Sequence, residues 1–149
     1  MTPGRRYLLD TNILSETRRS RADKKVMNFL ASLNPESLYT SVLTVGELRK
    51  GVAVRCRTDP ETGASLGAWV DALEHSFADR IIPIDISISR LWGELSSGRT
   101  RPVVDTLIAA TAMTRGMILV TRNEGDVKGL DLEVINPWRS RKPFNVKAG

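Results

Sequence analysis

The sequence predicts an α/β sandwich of three layers, a mainly parallel twisted sheet flanked by helices, and three observations carry that expectation. Short apolar, β-branched runs recur along the chain; apolar stripes at helical spacing lie between them; and the two kinds of segment alternate, which favours parallel strands joined by helical crossovers. At 149 residues, 41% hydrophobic and 26% charged, the chain fits one domain able to bury about two-thirds of the surface its unfolded form exposes.

The elements follow in order. Tyr7–Leu9 is a short apolar run that ends on Asp10-Thr11-Asn12, after which apolar character resumes at Ile13 and Leu14. Val26, Leu30 and Leu33 form a helical stripe, and Leu38–Thr40 a second strand-like run leading into "SVLTVGELRKGV". Cys56–Ser65 reads as a loop, because Gly63 and its polar neighbours punctuate the pattern. Leu66, Trp69, Val70, Leu73 and Phe77 make the strongest helical stripe, at i, i+3, i+4, i+7 and i+11. Ile81–Ile84 is the third strand, Ile88, Leu91, Trp92 and Leu95 the next helix, and Ser96–Arg101 a loop. Val104, Leu107, Ile108 and Thr111 repeat the helical spacing up to Gly116, a helix stop. Met117–Val120 and, more weakly, Leu132–Ile135 complete the strands. The expected division is a domain over residues 1–138 and a loosely held basic tail over 139–149.

No apolar run approaches the roughly 18 residues of a membrane span, and the first six residues lack the apolar core of a signal peptide, so a cytoplasmic protein is expected. Cys56 is the only cysteine, which excludes an internal disulfide and a cysteine-based zinc cluster. The net charge is +5, and it sits at the ends. Seven basic residues face three acids in residues 1–25, four face none in 139–149, and the middle of the chain has eleven against fourteen. Basic ends flanking a more acidic body suit a polyanion, or else simply solvate the chain.

Ligands in open α/β sheets collect at the carboxyl ends of strands, and four acids are placed there: Asp10 after the first strand, Glu47 after the second, Asp105 in "RPVVDTLIAATA", and Asp126 after the fourth. Each has a bland alternative. Glu47 stands three residues after Thr44, as in a capping box; Asp105 follows Pro102 in a helical first turn, where the dipole favours an acid; Asp126 lies beside Asn123 and Gly125 in turn chemistry. Taken together, four acids at one sheet edge repel one another unless a cation neutralises them or some stay protonated. Mg2+ or Mn2+ fits such an oxygen-rich set and can activate water and stabilise charge on a phosphoryl group. His75 is the only histidine and falls off the apolar stripe of its helix. A two-histidine nuclease and a histidine-ligated zinc site are thereby excluded, and no Gly-rich phosphate loop is present.

The stretches "LLDTNILSE", "SVLTVGELRKGV", "RIIPID", "LWGEL", "PVVDTLIAATAMTRGMILVTRN" and "INPW", in this order, closely resemble the PIN-domain ribonucleases, and more narrowly the VapC and FitB type toxins of bacterial toxin–antitoxin pairs. The resemblance implies a PIN-like fold and Mg2+- or Mn2+-dependent hydrolysis of RNA to 5′-phosphate and 3′-hydroxyl ends. It also implies a cognate antitoxin and a homodimer, with a heterotetramer or larger assembly when the antitoxin binds. By position, Asp10, Glu47 and Asp105 match the family's first three acids, and Asp126 the fourth, with Asn123 and Glu124 as other contributors to that corner; Val127 stands where the family has an aromatic residue. Thr11, Asn12, Thr121, Arg122 and Asn123 are the polar neighbours expected to orient the site or touch phosphate. Arg18, Arg19, Arg21 and the tail cations are further candidates for backbone contacts. Ile13-Leu14 and Val42–Val45 are candidate docking segments for a partner helix. Two rival readings remain open at this stage: a phosphatase of the haloacid dehalogenase type, which needs a second Asp where Asn12 stands, and a non-catalytic RNA- or partner-binding module.

Overall fold

The computed structural model describes residues 4–148. Six strands form one sheet: β1 Tyr7–Leu9, β2 Leu38–Ser41, β3 Ile81–Ile82, β4 Ile118–Val120, β5 Glu133–Ile135 and β6 Phe144–Asn145. Six helices surround it: α1 Thr11–Arg18, α2 Lys24–Ala31, α3 Val42–Thr58, α4 Pro60–Ser76, α5 Ile86–Ser96 and α6 Val103–Arg115. The strand order is β3-β2-β1-β4-β5-β6, parallel throughout except for the antiparallel β6.

Alternation within the strands sorts the core into two halves. Leu8, Leu119 and Val134 face one side, with Ile88 of α5 and Ile108, Ala109 and Ala112 of α6. Their neighbours Leu9, Ile118, Val120 and Ile135 face the other, with Ile13 of α1, Phe29 of α2, Leu48 of α3 and Val70 of α4. Strands buried on both faces have no polar side to show, which is why β1 and β4 read as continuous apolar runs.

The order reverses at β1. The chain lays β2 and β3 to one side, then returns through α5 and α6 to place β4 on the other, in register Leu9↔Val120. The connections leaving β1 and β4 therefore run to opposite sides, and a crevice opens at the carboxyl ends of these strands.

Three expectations change. The stretch expected as a loop at Cys56–Ser65 is helical on both sides of a single residue, Asp59. The Asp59 N–H closes α3 on the Arg55 carbonyl at 2.8 Å, its side chain accepts from the Thr62 N–H and hydroxyl at 3.2 and 2.6 Å, and Pro60 opens α4. Gly63 is there for packing, since a Cβ would lie 2.8 Å from the Cys56 Cα and N. The tail is held more firmly than expected: Phe144 and Asn145 pair with Val134 and Glu133, and Val146 is buried in the core. The third strand stops at Ile82, because Pro83 has no N–H to continue the ladder.

Replacing Gly63 by Ala should force α3 and α4 apart at their closest approach and destabilise the protein by about 1–3 kcal/mol. Urea unfolding checks this; a midpoint equal to that of the parent would mean the two helices are not in close contact at Gly63.

Candidate active site

Asp10 is the first residue beyond β1, and the sheet holds it there. Its N–H donates to the Val120 carbonyl at 3.0 Å, continuing the β1–β4 ladder by one rung. The side chain then caps α1, accepting from the Thr11 N–H at 2.8 Å, while the Thr121 hydroxyl, one residue beyond β4, donates to its other oxygen at 2.8 Å. The Asn12 amide reaches the same carboxyl and the Thr121 hydroxyl at 3.4 Å each, and the Asn12 carbonyl oxygen accepts from the Arg122 N–H at 3.2 Å. Asn123 donates its N–H to Thr121 at 3.0 Å. The polar neighbours expected from sequence thus form one net that fixes a carboxylate only 6% exposed. Asn12, where a phosphatase would need a second acid, is part of that net.

Glu47 is not a capping residue. The N-cap of α3 is Ser41, whose hydroxyl accepts from the Leu43 N–H at 3.0 Å, so Thr44 lies inside the helix and the capping-box pairing cannot form. The Glu47 side chain is exposed and accepts the Thr11 hydroxyl at 2.5 Å. Thr44, fully buried, sits 3.2 Å from the same hydroxyl. Asp105 is in the first turn of α6, with Pro102 at the N-cap, one position earlier than expected. Asp126 lies in a 3-10 turn, Glu124–Val127, with no capping bond to explain it. Val127, in place of an aromatic, is 2% exposed and packs in the core.

The four acids feel one another. Burial, foremost, and then the charges of Asp10 and Asp126 push the Asp105 carboxyl up to about 6, with the Asp126 carboxyl in hydrogen-bonding reach and Glu47 adding to the rise. Burial also raises Asp10, opposed by the bonds from Thr121 and Thr11 and reinforced by Glu47 and Asp126. In a chain of net charge +5, none of the four carries an ion pair among the described residues. No three of them close into a ready-made metal cage among those residues either. An open set of carboxyl oxygens suits a hard cation that keeps much of its water and takes one or two carboxylates directly, and the repulsion gives a cation something to relieve.

Other candidates fall elsewhere. Glu124 is drawn away from the acids by Arg139 at 2.9 Å and the buried Asn136 amide at 3.1 Å, so it does not complete the cluster. Arg19 is paired with buried Glu16 at 3.1 Å. Arg122 lies 4.9 Å over the Trp138 ring. Ile13 and Leu14 are core, 0% and 4% exposed, and cannot dock a partner; of the second docking segment, Val42 is exposed. Thr44 and Asn136 are the supporting residues that sequence reasoning missed. Both stood in the quoted motifs, but only the fold shows that Thr44 meets the Thr11 hydroxyl and that Asn136 holds Glu124.

Because Asp105 binds its proton more tightly folded than unfolded, its stabilising contribution is complete below about 3.8, its ordinary value, and is lost as pH rises through about 6. Metal-free protein should therefore melt at lower temperature as pH climbs across that window, and Asp105→Asn should flatten the fall. Melting curves between pH 4 and 7 check it; parallel profiles for the two proteins would show that the fold does not raise the Asp105 carboxyl.

With this geometry in place, comparison with known proteins identifies relatives. A family model described as PIN domain matches residues 7–128. Toxin FitB of Neisseria gonorrhoeae is 35% identical over 140 residues, covering 88% of this chain and 97% of that protein. A VapC ribonuclease, Y4jK of Sinorhizobium fredii, is 32% identical over 140 residues, covering 88% and 96%. Among solved structures, FitAcB from Neisseria gonorrhoeae includes a chain that superposes with a TM-score of 0.83 at 33% identity, covering 90% of this chain and 99% of that one. The chain belongs to the PIN-domain family.

Proposed function

We propose that this protein is a divalent-metal-dependent endoribonuclease, the toxin component of a toxin–antitoxin pair, hydrolysing RNA to 5′-phosphate and 3′-hydroxyl ends. The observation that carries the reading is the set of carboxyl groups Asp10, Glu47, Asp105 and Asp126 near one another at the crevice, without a counter-ion among the described residues and with Asp10 and Glu47 oriented by Thr121 and Thr11. The names of the relatives, a toxin and a VapC ribonuclease, support the substrate class and the biological role.

Asp10 and Asp105 would hold Mg2+ or Mn2+, with Glu47 and Asp126 completing the set directly or through water. When bound, the cation supplies Lewis-acid stabilisation of charge on the phosphoryl group and makes water a better nucleophile at neutral pH. The chain's own residues do the positioning. Thr121 and the Thr11 N–H fix the two Asp10 oxygens, which sets the direction in which their remaining lone pairs point. The Thr11 hydroxyl does the same for Glu47, leaving that exposed carboxylate free on its other side to accept a proton from attacking water. Attack by water on phosphorus with departure of the 3′ oxygen, which takes up a proton, and not attack by the ribose 2′-hydroxyl, leaves the phosphate on the 5′ end of the downstream fragment and a 3′-hydroxyl on the upstream one.

A cognate antitoxin partner, a homodimer that becomes a heterotetramer or larger with it, and a cytoplasmic location go with this reading. No helix among the described residues is long and apolar enough to cross a membrane. An acidic crevice without its own counter-charge also offers a partner's arginine a place to bind, since the planar guanidinium pairs two carboxyl oxygens at once.

Purified protein should cut labelled RNA in magnesium and fail to do so in excess EDTA, with ends that accept a 3′ ligation without phosphatase treatment. Asp10→Asn and Asp105→Asn should each lower turnover by more than the roughly 10–100-fold typical of a lost supporting residue, while both variants stay folded. Undiminished cleavage in EDTA or in either variant would exclude the mechanism, and intact RNA in every condition would favour a binding module instead.

Thr121→Val, which keeps the shape and removes the hydroxyl, should cost about 10–100-fold in activity and raise the concentration of magnesium needed for half-maximal rate. Isothermal titration of magnesium into the variant checks the second effect apart from turnover; an unchanged affinity would make Thr121 a purely structural residue.

A further inference from the structure

Beside the acids lies a cavity of about 360 Å³ between α1, α3 and α4, and two residues of the acid site, Thr11 and Glu47, form part of its wall. The rest of its lining has a different character. Leu48 and Leu66 are apolar, Trp69 presents a partly buried indole, and the Arg18 guanidinium stands 6.0 Å from the centre of that ring. Arg18 has no ion pair among the described residues; one bond to the exposed Ser65 hydroxyl at 3.3 Å keeps it there. A second hollow continues along α3 past Gly51 and Leu66, bordered by Lys50 and Arg55.

An aromatic face with a half-buried guanidinium beside it, in a recess whose wall includes Thr11 and Glu47, matches the chemistry of a nucleobase and its phosphate. Bases of single-stranded RNA are recognised by stacking on aromatic rings and on guanidinium planes, and the cavity is within the range of about 300–1,000 Å³ that holds a small ring system. An aliphatic partner helix would have no use for an unpaired arginine lying over a tryptophan. We propose that this cavity receives the base of the nucleotide next to the scissile phosphate, stacked on Trp69, with Arg18 contacting that base or the adjoining phosphate. This rests on the endoribonuclease reading and adds to it: Trp69 and Arg18 set which nucleotide is accepted beside the cut, while the acids set where the chemistry occurs.

The test pairs changes in the protein with changes in the RNA. A short single-stranded RNA that the full-length parent cleaves in magnesium is prepared with each base flanking the cut removed in turn, leaving an abasic ribose. The parent should lose about ten- to a hundred-fold in kcat/KM at one of these positions, the usual worth of a stacked base. Trp69→Leu should lose as much on intact RNA and nothing further on that abasic substrate, and Trp69→Phe, which keeps a ring, should recover most of the loss. Additive losses from the two changes, or a Trp69→Leu protein with the parent's rate and base preference, would overturn the proposal and leave the cavity to a protein partner.

Should Trp69→Leu not fold, the uncleaving Asp105→Asn chain serves. Intact RNA should quench its tryptophan emission more than the abasic RNA does, and Trp69→Phe in that background should abolish the difference; equal quenching by both RNAs overturns the proposal. A parent that cleaves no RNA overturns the endoribonuclease reading itself, an outcome distinct from additive losses in an active enzyme.

Discussion

Four like-charged carboxyl groups at one edge of a parallel sheet repel each other, and much of the surrounding structure is arranged to bear that repulsion. The β1–β4 seam provides the rigid mount: Asp10 is hydrogen-bonded to Val120 through its backbone and to Thr121 through its side chain. Those bonds lower the Asp10 carboxyl against a rise due to burial, while Asp105, with the neighbouring acids close by, moves up to about 6. Burial and neighbouring acids raise both carboxyls, and only at Asp10 do hydrogen-bond donors oppose the rise. The fold accepts instability at this edge in exchange for a site that attracts a cation, a trade commonly found where function and stability meet.

The supporting residues act at one remove. Thr11 serves two carboxylates, giving its N–H to Asp10 and its hydroxyl to Glu47, so the end of β1 and α3 are linked through a single residue. On the far side, Asn136 and Arg139 draw Glu124 toward β5. This keeps a fifth acid out of the cluster and ties the turn carrying Asp126 to the end of the sheet. Val127 fixes the same turn from beneath by entering the core.

Strands β1 to β5 and the positions of the four acids near one sheet edge were legible from the sequence because they rest on local pattern: apolar runs, and acids just after strands or in the first turn of a helix, in a chain where strand and helix alternate. The loop expected at Cys56–Ser65 shows where that reasoning stops. Gly63 looks like a breaker along the chain, yet its reason for being glycine is the backbone of Cys56 across the helical hairpin, a contact invisible to any window of sequence. The same holds for β6. Phe144, Asn145 and Val146 sit in a basic, proline-containing tail with no strand signature of their own, and they are ordered by an edge of β5 that already exists. Thr44 shows a third limit. Its spacing to Glu47 fits a capping box, but the helix is capped three residues earlier, at Ser41, and spacing alone does not set the phase.

The pairing of β1 with β4 has a consequence for the protein's own synthesis. Asp10 and Thr121 meet across a sequence separation of 111 residues, and the chain leaves the ribosome from its N-terminus onward. While the first two-thirds is being made, Asp10 has neither the Val120 carbonyl to anchor its backbone nor the Thr121 hydroxyl to orient its carboxylate, and Asp105 is not yet present. The acidic edge is assembled only when the last third of the chain has emerged and closed that long loop. A nascent chain that has not yet exposed β4 therefore lacks both the donor that orients Asp10 and the pairing that brings the acids to one edge, so the acidic edge depends on the longest-range contact of the sheet.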